Sequence, residues 1–318
     1  MSTDFTTKLP PARTGDKLRP GKYVDLLIDG NFKLIFSKEK NKPVLIELLN
    51  AFLPVRIVSI DLRQQERTPR RRELKTGVFD LYCRTTEGRN IVVEVQYNSR
   101  KDYLDRMLYY STWPISEQKF KNENNYLLDE VYVISFVNFA LIHDSDWPEG
   151  KAVSSYSIRE DSNGELMTGA LHFVYVELGR FLKEEDGIRT IDDWFMYCLK
   201  NMGRLGEMPR KDVPAPIASL LDITEVESLP PDERNKYDSN MQNEFDKRTE
   251  KLMIKEEAFA AGILKGKAEG EAAGILKGKA EGEAAGKAEV AKNLLGLGMD
   301  IHHIVLVTGL TEEQIKDL

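Results

Sequence analysis

Apolar positions along the chain recur with two periodicities, which predict an alternation of strands and helices. Alternating or continuously apolar stretches predict strands at 56–66, 131–142, 151–159 and 171–179, and a hairpin at 78–96. Apolar residues at three- and four-residue spacing predict helices at 43–53, 102–124 and 189–202. The run VYVISFVNFALI at 131–142 is almost continuously apolar, which is typical of a strand buried on both faces of a sheet.

The hairpin VFDLYCRTTEGRNIVVEVQ carries three polar side chains, Asp80, Glu94 and Gln96, in otherwise apolar strands. Odd-numbered positions are apolar and predict a face toward the core, while these three share the even-numbered face. A three-residue loop, Thr86-Glu87-Gly88, would place Asp80 directly opposite Glu94, with Gly88 in the left-handed conformation. A two-residue loop, Glu87-Gly88, would slip the register by one and separate the two carboxylates. The sequence leaves both loops open.

Two carboxylates side by side repel each other unless a proton is shared or a cation lies between them. Mg²⁺ prefers oxygen ligands and keeps several waters for a phosphate substrate. The first loop therefore predicts a magnesium site at Asp80 and Glu94, where the ion would activate water. Gln96 could orient that water. A chance pair of acids on a solvated sheet face is the alternative.

Beyond residue 230 the chain becomes charged and prone to helix formation. AGILKGKAEGEA occurs twice, at 261–272 and 273–284, and glycine recurs every fourth residue from Gly262 to Gly286. Because each interior glycine costs a helix about 1 kcal/mol, a flexible, weakly helical linker is favoured over a self-association ridge. Three short helices then follow, the second capped by Asp300 and the third by Thr311. This tail resembles a helix-turn-helix unit, but its few basic residues favour a dimerisation or packing module over a DNA reader.

Composition narrows the class of protein. The 318 residues carry a net charge of −7, so nucleic acid would have to be met by a local basic patch. The best such patch is Arg70, Arg71, Arg72 and Lys75. No membrane span and no secretory signal are expected. The two cysteines suit a reducing cytoplasm, and the lack of a GxxxxGK[ST] loop argues against an NTPase.

The spacing of Asp80, Glu94 and Gln96, D–x(13)–E–x–Q, resembles the active-site signature of the PD-(D/E)XK nuclease superfamily, with glutamine where lysine is usual. The chain is more specifically similar to the recombination-promoting nuclease family, also described as PD-(D/E)XK nuclease family transposase. The segments that carry the resemblance are DGNFKLIF (29–36), IELLNAFL (46–53), VFDLY (78–82), IVVEVQ (91–96), RMLYYSTWPISEQ (106–118), DEVYVISFVNF (129–139) and VELGRF (176–181).

The resemblance implies an α/β fold with a restriction-endonuclease-like mixed sheet flanked by helices, a helical arm and a small helical tail. It implies Mg²⁺-dependent cleavage of DNA by Asp29, Asp80, Glu94 and Gln96, with Gln118 and Tyr110 lining the cleft. Four regions are expected: a leader (1–21), a nuclease-like domain (22–230), a repeat-bearing arm (231–287) and the tail (288–318). A homo-oligomer through the arm or tail is expected. The competing hypothesis is a catalytically degenerate, oligomerising DNA-associated scaffold.

Overall fold

The computed structural model describes residues 21–28, 30–63, 66–67, 77–118, 126–141, 147–209 and 212–318, with backbone alone at 66–67 and 77–78. The chain divides into two compact units, Met1–Asp246 and Lys247–Leu318. Each unit is described by itself.

Strands of the described residues fall in the first unit. They are β1 (Ile60–Leu62), β2 (Glu66–Arg67), β3 (Gly77–Val78), β4 (Leu81–Thr85), β5 (Asn90–Gln96), β6 (Val131–Val137), β7 (Val153–Ser157) and β8 (Leu171–Glu177). Six of them form one sheet in the order β1-β4-β5-β6-β8-β7, while β2 and β3 pair separately. The pairs β5–β6 and β6–β8 are parallel and the other pairs of the large sheet are antiparallel. The sheet is therefore mixed, as predicted.

Helices cover both faces of this sheet. The helices of the described residues are α1 (Asn31–Phe36), α2 (Lys42–Phe52), α3 (Tyr103–Ser116), α4 (Ile191–Asn201), α5 (Ala215–Thr224), α6 (Pro231–Gly296), α7 (Ile301–Thr308) and α8 (Glu312–Lys316), of which α7 and α8 belong to the second unit. The larger core joins α1, α2, α4 and α5 to the odd-numbered side chains of β5. The smaller core joins α3 to the even-numbered face, including Tyr82 and Val92. Both faces are thus covered, and any polar group there must find a partner.

Most predicted elements are confirmed, with shorter bounds. All seven residues of β6 are buried, because the strand lies between two parallel neighbours and under helices on both sides. The predicted helix at 102–124 ends at Ser116, soon after Pro114, which lies inside its last turn. Because proline has no backbone N–H, it removes one helical hydrogen bond. This loss falls in the last turn, where the helix is already ending.

In the second unit, the repeat region is helical throughout, as the last part of α6. The favoured interpretation of a weakly helical linker is therefore wrong. Alanine, leucine, lysine and glutamate between the glycines are strong helix formers, and Lys265–Glu269 and Lys277–Glu281 pair one turn apart at 3.8 and 3.7 Å.

The tail forms its own small core from Ala291, Ile304 and Ile315. Thr311 caps α8 as predicted, in a reciprocal arrangement with Gln314. Asp300 occupies the N-cap position of α7, but its side chain makes no capping hydrogen bond. Among the described residues, no helix has the length and apolar character needed to cross a membrane.

Candidate active site at the end of strand β5

The loop of the β4–β5 hairpin has three residues, which resolves the alternative that the sequence left open. The Thr85 N–H donates to the Arg89 carbonyl at 2.9 Å, and the Gly88 N–H donates to the Thr85 carbonyl at 3.0 Å. Gly88 has a φ of 93°, a conformation that glycine adopts without the penalty of a Cβ. Leu81 pairs with Val93 across the ladder. The same register, extended by one residue, places Asp80 opposite Glu94.

Asp80 lies in a bend immediately before β4 rather than inside the strand. Its Oδ2 accepts a hydrogen bond from the Val95 N–H at 2.7 Å. The Asp80 carboxylate thus accepts from β5 in place of a backbone carbonyl, at the residue that follows Glu94. This bond fixes the position of Asp80 relative to the end of β5.

Glu94 lies on the even-numbered face of β5, toward α3, and only 3% of its surface is exposed. Ser135 of β6 is its neighbour in the parallel pair. A carboxylate buried this deeply is costly unless a positive charge or hydrogen-bond donors compensate it. Arg106 supplies such a charge, with its Nη2 at 3.5 Å from Glu94 Oε2.

Arg106 reaches this point from α3 and contacts both polar residues of β5. Its Nη2 also donates to Gln96 Oε1 at 2.9 Å. The guanidinium lies over the rings of Tyr103 and Tyr110, at 5.5 Å from each centroid. Burial raises the pKa of Tyr103 well above its usual range, so that its phenol stays neutral and its ring remains a face for the cation.

Sequence reasoning did not place Arg106 in the site. The spacing of Tyr103, Arg106 and Tyr110, three and four residues apart, puts them on one face of a helix. That signal was present, but it does not indicate which strand the face covers. Docking of α3 onto β5 is a tertiary property, and it decides which carboxylate the arginine meets.

Of the two further residues expected to line the cleft, Tyr110 contacts the site through Arg106, and Gln118 does not reach it. Both ends of the Gln118 amide bond the backbone of Asp129, at 3.0 and 2.7 Å. Asp129 precedes β6, whose first residue pairs with Asn90. Asn90 and Gln96 are the two ends of β5, about 20 Å apart. Gln118 therefore ties α3 to the opposite end of the sheet.

Five predicted residues lie outside the described residues. They are Asp29 and the basic patch Arg70, Arg71, Arg72 and Lys75. Ile28 and Gly30, on either side of Asp29, are described, and Gly30 has a φ of 83°. Next to it, the buried Asn31 accepts a hydrogen bond from Asn240 of α6 at 2.9 Å. Asn31 is thus held to α6 within the first unit.

The described donors at this site are hard oxygens, which suit Mg²⁺ or another hard divalent cation. Asp80 and Glu94 offer carboxylates, and Gln96 offers an amide oxygen. Within the described part of the chain, no cluster of three or more His, Cys, Asp or Glu side chains is arranged to hold a metal. The resemblance offers Asp29, outside the described residues, as a third carboxylate. The residues therefore fit a cation in donor chemistry, as a pair of acids that needs a further ligand.

A model of the family described as PD-(D/E)XK nuclease family transposase matches residues 26–253, well over half of the chain. The chain belongs to this family. The match includes Asp29, the β4–β5 hairpin and α3, and it agrees with a mixed six-stranded sheet flanked by helices. No curated protein and no solved structure matches the chain. Asp80 and Glu94 both lie within the segment that the family model matches.

Proposed function

We propose that this PD-(D/E)XK family member is a Mg²⁺-dependent DNA endonuclease of the recombination-promoting type. The observation that carries the proposal is the register of the β4–β5 hairpin, which puts Asp80 opposite Glu94. Gln96 follows Glu94 by two residues along β5. This pair lies inside the segment that the family model matches. DNA is the substrate, and another divalent metal could replace Mg²⁺.

In this mechanism, Asp80 and Glu94 would hold the cation and Asp29 would assist them. A cation held there would polarise the phosphate and lower the pKa of a water. Gln96 positions the water or the phosphate. Arg106 engages Gln96 Oε1 at 2.9 Å, which fixes the amide orientation and leaves its NH₂ group able to donate. The buried position of Glu94 keeps its carboxylate in one place, so that ligand geometry is set before substrate arrives.

A specific observation favours the second function, a catalytically degenerate scaffold that associates with DNA. Arg106 already provides Glu94 with a counter-ion, so that the carboxylate does not require a metal. The arginine side chain is 24% exposed, however, and the site is not sealed. A guanidinium that borders solvent can move aside, whereas one in a closed interior could not do so without an unpaired charge.

Three further properties belong to the same proposal. The chain forms a homo-oligomer through its arm or its tail, and DNA backbone is met by Arg70, Arg71, Arg72 and Lys75. The protein works in the cytoplasm, where its two cysteines, both buried and free, stay reduced.

Nicking of supercoiled plasmid by the full chain, with Mg²⁺ or with EDTA, tests the proposal. Asp80→Asn is the sharpest variant, because asparagine keeps an oxygen to accept from Val95. Glu94→Gln is its partner, and Glu87→Gln in the exposed hairpin loop is the matched control for loss of one negative charge. The expected result is Mg²⁺-dependent nicking by the wild type and the control, and a loss of about a hundredfold or more in both site variants.

Two results would contradict the nuclease proposal. Equal nicking by wild type and Asp80→Asn would remove Asp80 from the mechanism. No nicking by any folded protein, wild type included, would favour the scaffold.

A further inference from the structure

The site at the end of β5 holds two carboxylates, and a DNA phosphate approaching them would be repelled. A fixed positive charge on the protein would offset part of that repulsion. Arg106 is a described cation at this place, in contact with Glu94 and Gln96. The hydrogen bonds of its guanidinium nitrogens indicate whether Arg106 is only a counter-ion for Glu94 or also binds the substrate.

The guanidinium of Arg106 is incompletely engaged. One nitrogen, Nη2, makes both contacts, and the one to Glu94, 3.5 Å, is longer than the hydrogen bond to Gln96, 2.9 Å. Its Nε is buried and has no hydrogen-bond partner within the described residues. Arg106 therefore does not bind the Glu94 carboxylate through two parallel hydrogen bonds. A guanidinium that serves only as a counter-ion would make its strongest ion pair in that bidentate geometry.

Arg180 shows what a structural arginine looks like in the same sheet. It lies beside Glu177, a fully buried carboxylate at the end of β8. Its Nε donates to Glu177 at 2.9 Å and its Nη2 donates to the Leu141 carbonyl at 2.9 Å. Both nitrogens are satisfied by protein groups. Arg106 differs in that its buried Nε has no hydrogen-bond partner within the described residues, beside a pair of carboxylates.

The aromatic rings on either side restrict where the guanidinium of Arg106 can point. Tyr103 and Tyr110 each lie 5.5 Å from its guanidinium carbon, so the cation is positioned before any substrate binds. Pre-positioned guanidinium groups bind phosphate oxygens through two parallel N–H bonds.

We infer that Arg106 is a phosphate-binding residue, which contacts the DNA backbone at the site through the exposed part of its side chain. This inference rests on the proposed function and deepens it, because it names the group that takes the substrate phosphate. Glu94 and Gln96 then hold the guanidinium in place, and they are not its final partners.

The test is DNA binding without catalysis, measured as fluorescence anisotropy of a short labelled duplex in EDTA over a series of salt concentrations. Arg106→Gln is made in the wild type and in a Glu94→Gln background, where the counter-ion role no longer exists. Neutralising both partners avoids an unpaired buried charge, and intrinsic tryptophan fluorescence reports whether each variant folds. Arg84→Gln is the matched control, because Arg84 pairs with Asp129 in the same sheet.

The expected result is that Arg106→Gln weakens binding about tenfold and lowers the salt slope by about one, in both backgrounds. Arg106→Lys should recover part of the affinity, since it keeps the charge without the fork. Arg84→Gln should bind as the wild type does.

Equal binding by Glu94→Gln and by the double variant would overturn the inference and leave Arg106 as a counter-ion. Absence of DNA binding by the wild type would overturn it too. Binding that depends on Arg106 without any plasmid nicking would support the inference while the proposed endonuclease fails. Nicking without dependence of binding on Arg106 would do the reverse.

Discussion

The mixed sheet of the first unit and the repeat region of the second are both regular, but they are regular for different reasons. Each residue of β6 is buried between neighbouring strands and helices, so tertiary packing determines its conformation. Residues 251–287 are all exposed, so that the helix there depends on local propensity and on pairs one turn apart. Regularity in a sequence therefore indicates secondary structure in both places, but it indicates packing in only one.

The surroundings of the glycines differ between the two regions. An added Cβ at Gly30 would lie 2.9 Å from Asn240 Nδ2, whereas none of the repeat glycines, such as Gly274, has a neighbouring atom within 4 Å. A four-residue step also advances about 40° beyond a full helical turn. The glycines from Gly262 to Gly286 therefore wind around the helix and do not form one straight ridge. Among the described residues, no neighbouring side chain fixes the choice of glycine at these positions.

The largest expected difference between the two regions concerns a single apolar side chain. Phe136 is fully buried and its ring lies 5.6 Å from that of Phe52. Phe136→Ala should lower the free energy of unfolding of the first unit by about 3–5 kcal/mol. Leu264, 70% exposed, is the matched position in the repeat, and Leu264→Ala should change stability by less than about 0.5 kcal/mol.

Denaturant unfolding followed by tryptophan fluorescence measures the effect of Phe136→Ala, because Trp113, Trp147 and Trp194 all lie in the first unit. Circular dichroism at 222 nm measures the effect of Leu264→Ala in the second unit. A small effect of Phe136→Ala would show that side-chain packing contributes little to the free energy of unfolding of the first unit, against this account.

A charged contact in the first unit should be next in size and should depend on pH. Burial alone would raise the pKa of Asp193, but hydrogen bonds from Lys183 and from the Arg189 backbone N–H hold it below its usual value. Since its folded pKa is lowered, the stabilisation is present above the unfolded value of about 3.9 and is lost as the pH falls through the folded pKa.

Asp193→Asn should therefore cost about 1–3 kcal/mol at neutral pH. The difference from the wild type should shrink below about pH 4. Urea unfolding at several pH values checks this, and a difference that is independent of pH would argue against the ionised contact.

The same glycine-to-alanine change should have opposite signs in the two regions. Gly30→Ala places a Cβ at a φ of 83° and should destabilise the first unit by about 1–2 kcal/mol. Gly274→Ala should stabilise the helix of the second unit by about 1 kcal/mol. Tryptophan fluorescence follows the first and the temperature dependence of circular dichroism at 222 nm follows the second. Stabilisation at both positions would contradict the difference in packing.

The smallest expected effect lies in the tail, at the start of α8. The Thr311 side chain accepts from the Gln314 N–H at 3.2 Å, and the Gln314 side chain accepts from the Thr311 N–H at 2.9 Å. Thr311→Ala should cost about 1 kcal/mol, seen as faster hydrogen exchange of the Gln314 amide. Asp300→Ala is the comparison, because Asp300 makes no capping bond, and its effect should be smaller.

Short-range chemistry was predictable from the sequence and docking was not. The continuous apolar run predicted β6, and Gly88 was compatible with the three-residue loop that sets Asp80 against Glu94, although the sequence left a two-residue loop open as well. Arg106 was not foreseeable as a site residue, and Gln118 was expected in the wrong place. Both lie on α3 or at its end, and the packing of that helix over the sheet determines which end of β5 each one meets.

Cation binding by the acidic pair at the end of β5 is the central claim, and isothermal titration of Mn²⁺ or Mg²⁺ into the full chain tests it most directly. The wild type and the loop control Glu87→Gln should each bind a divalent cation, and Asp80→Asn and Glu94→Gln should each lose that binding while they remain folded. Equal binding by all four proteins, or no binding by the folded wild type, would contradict the claim.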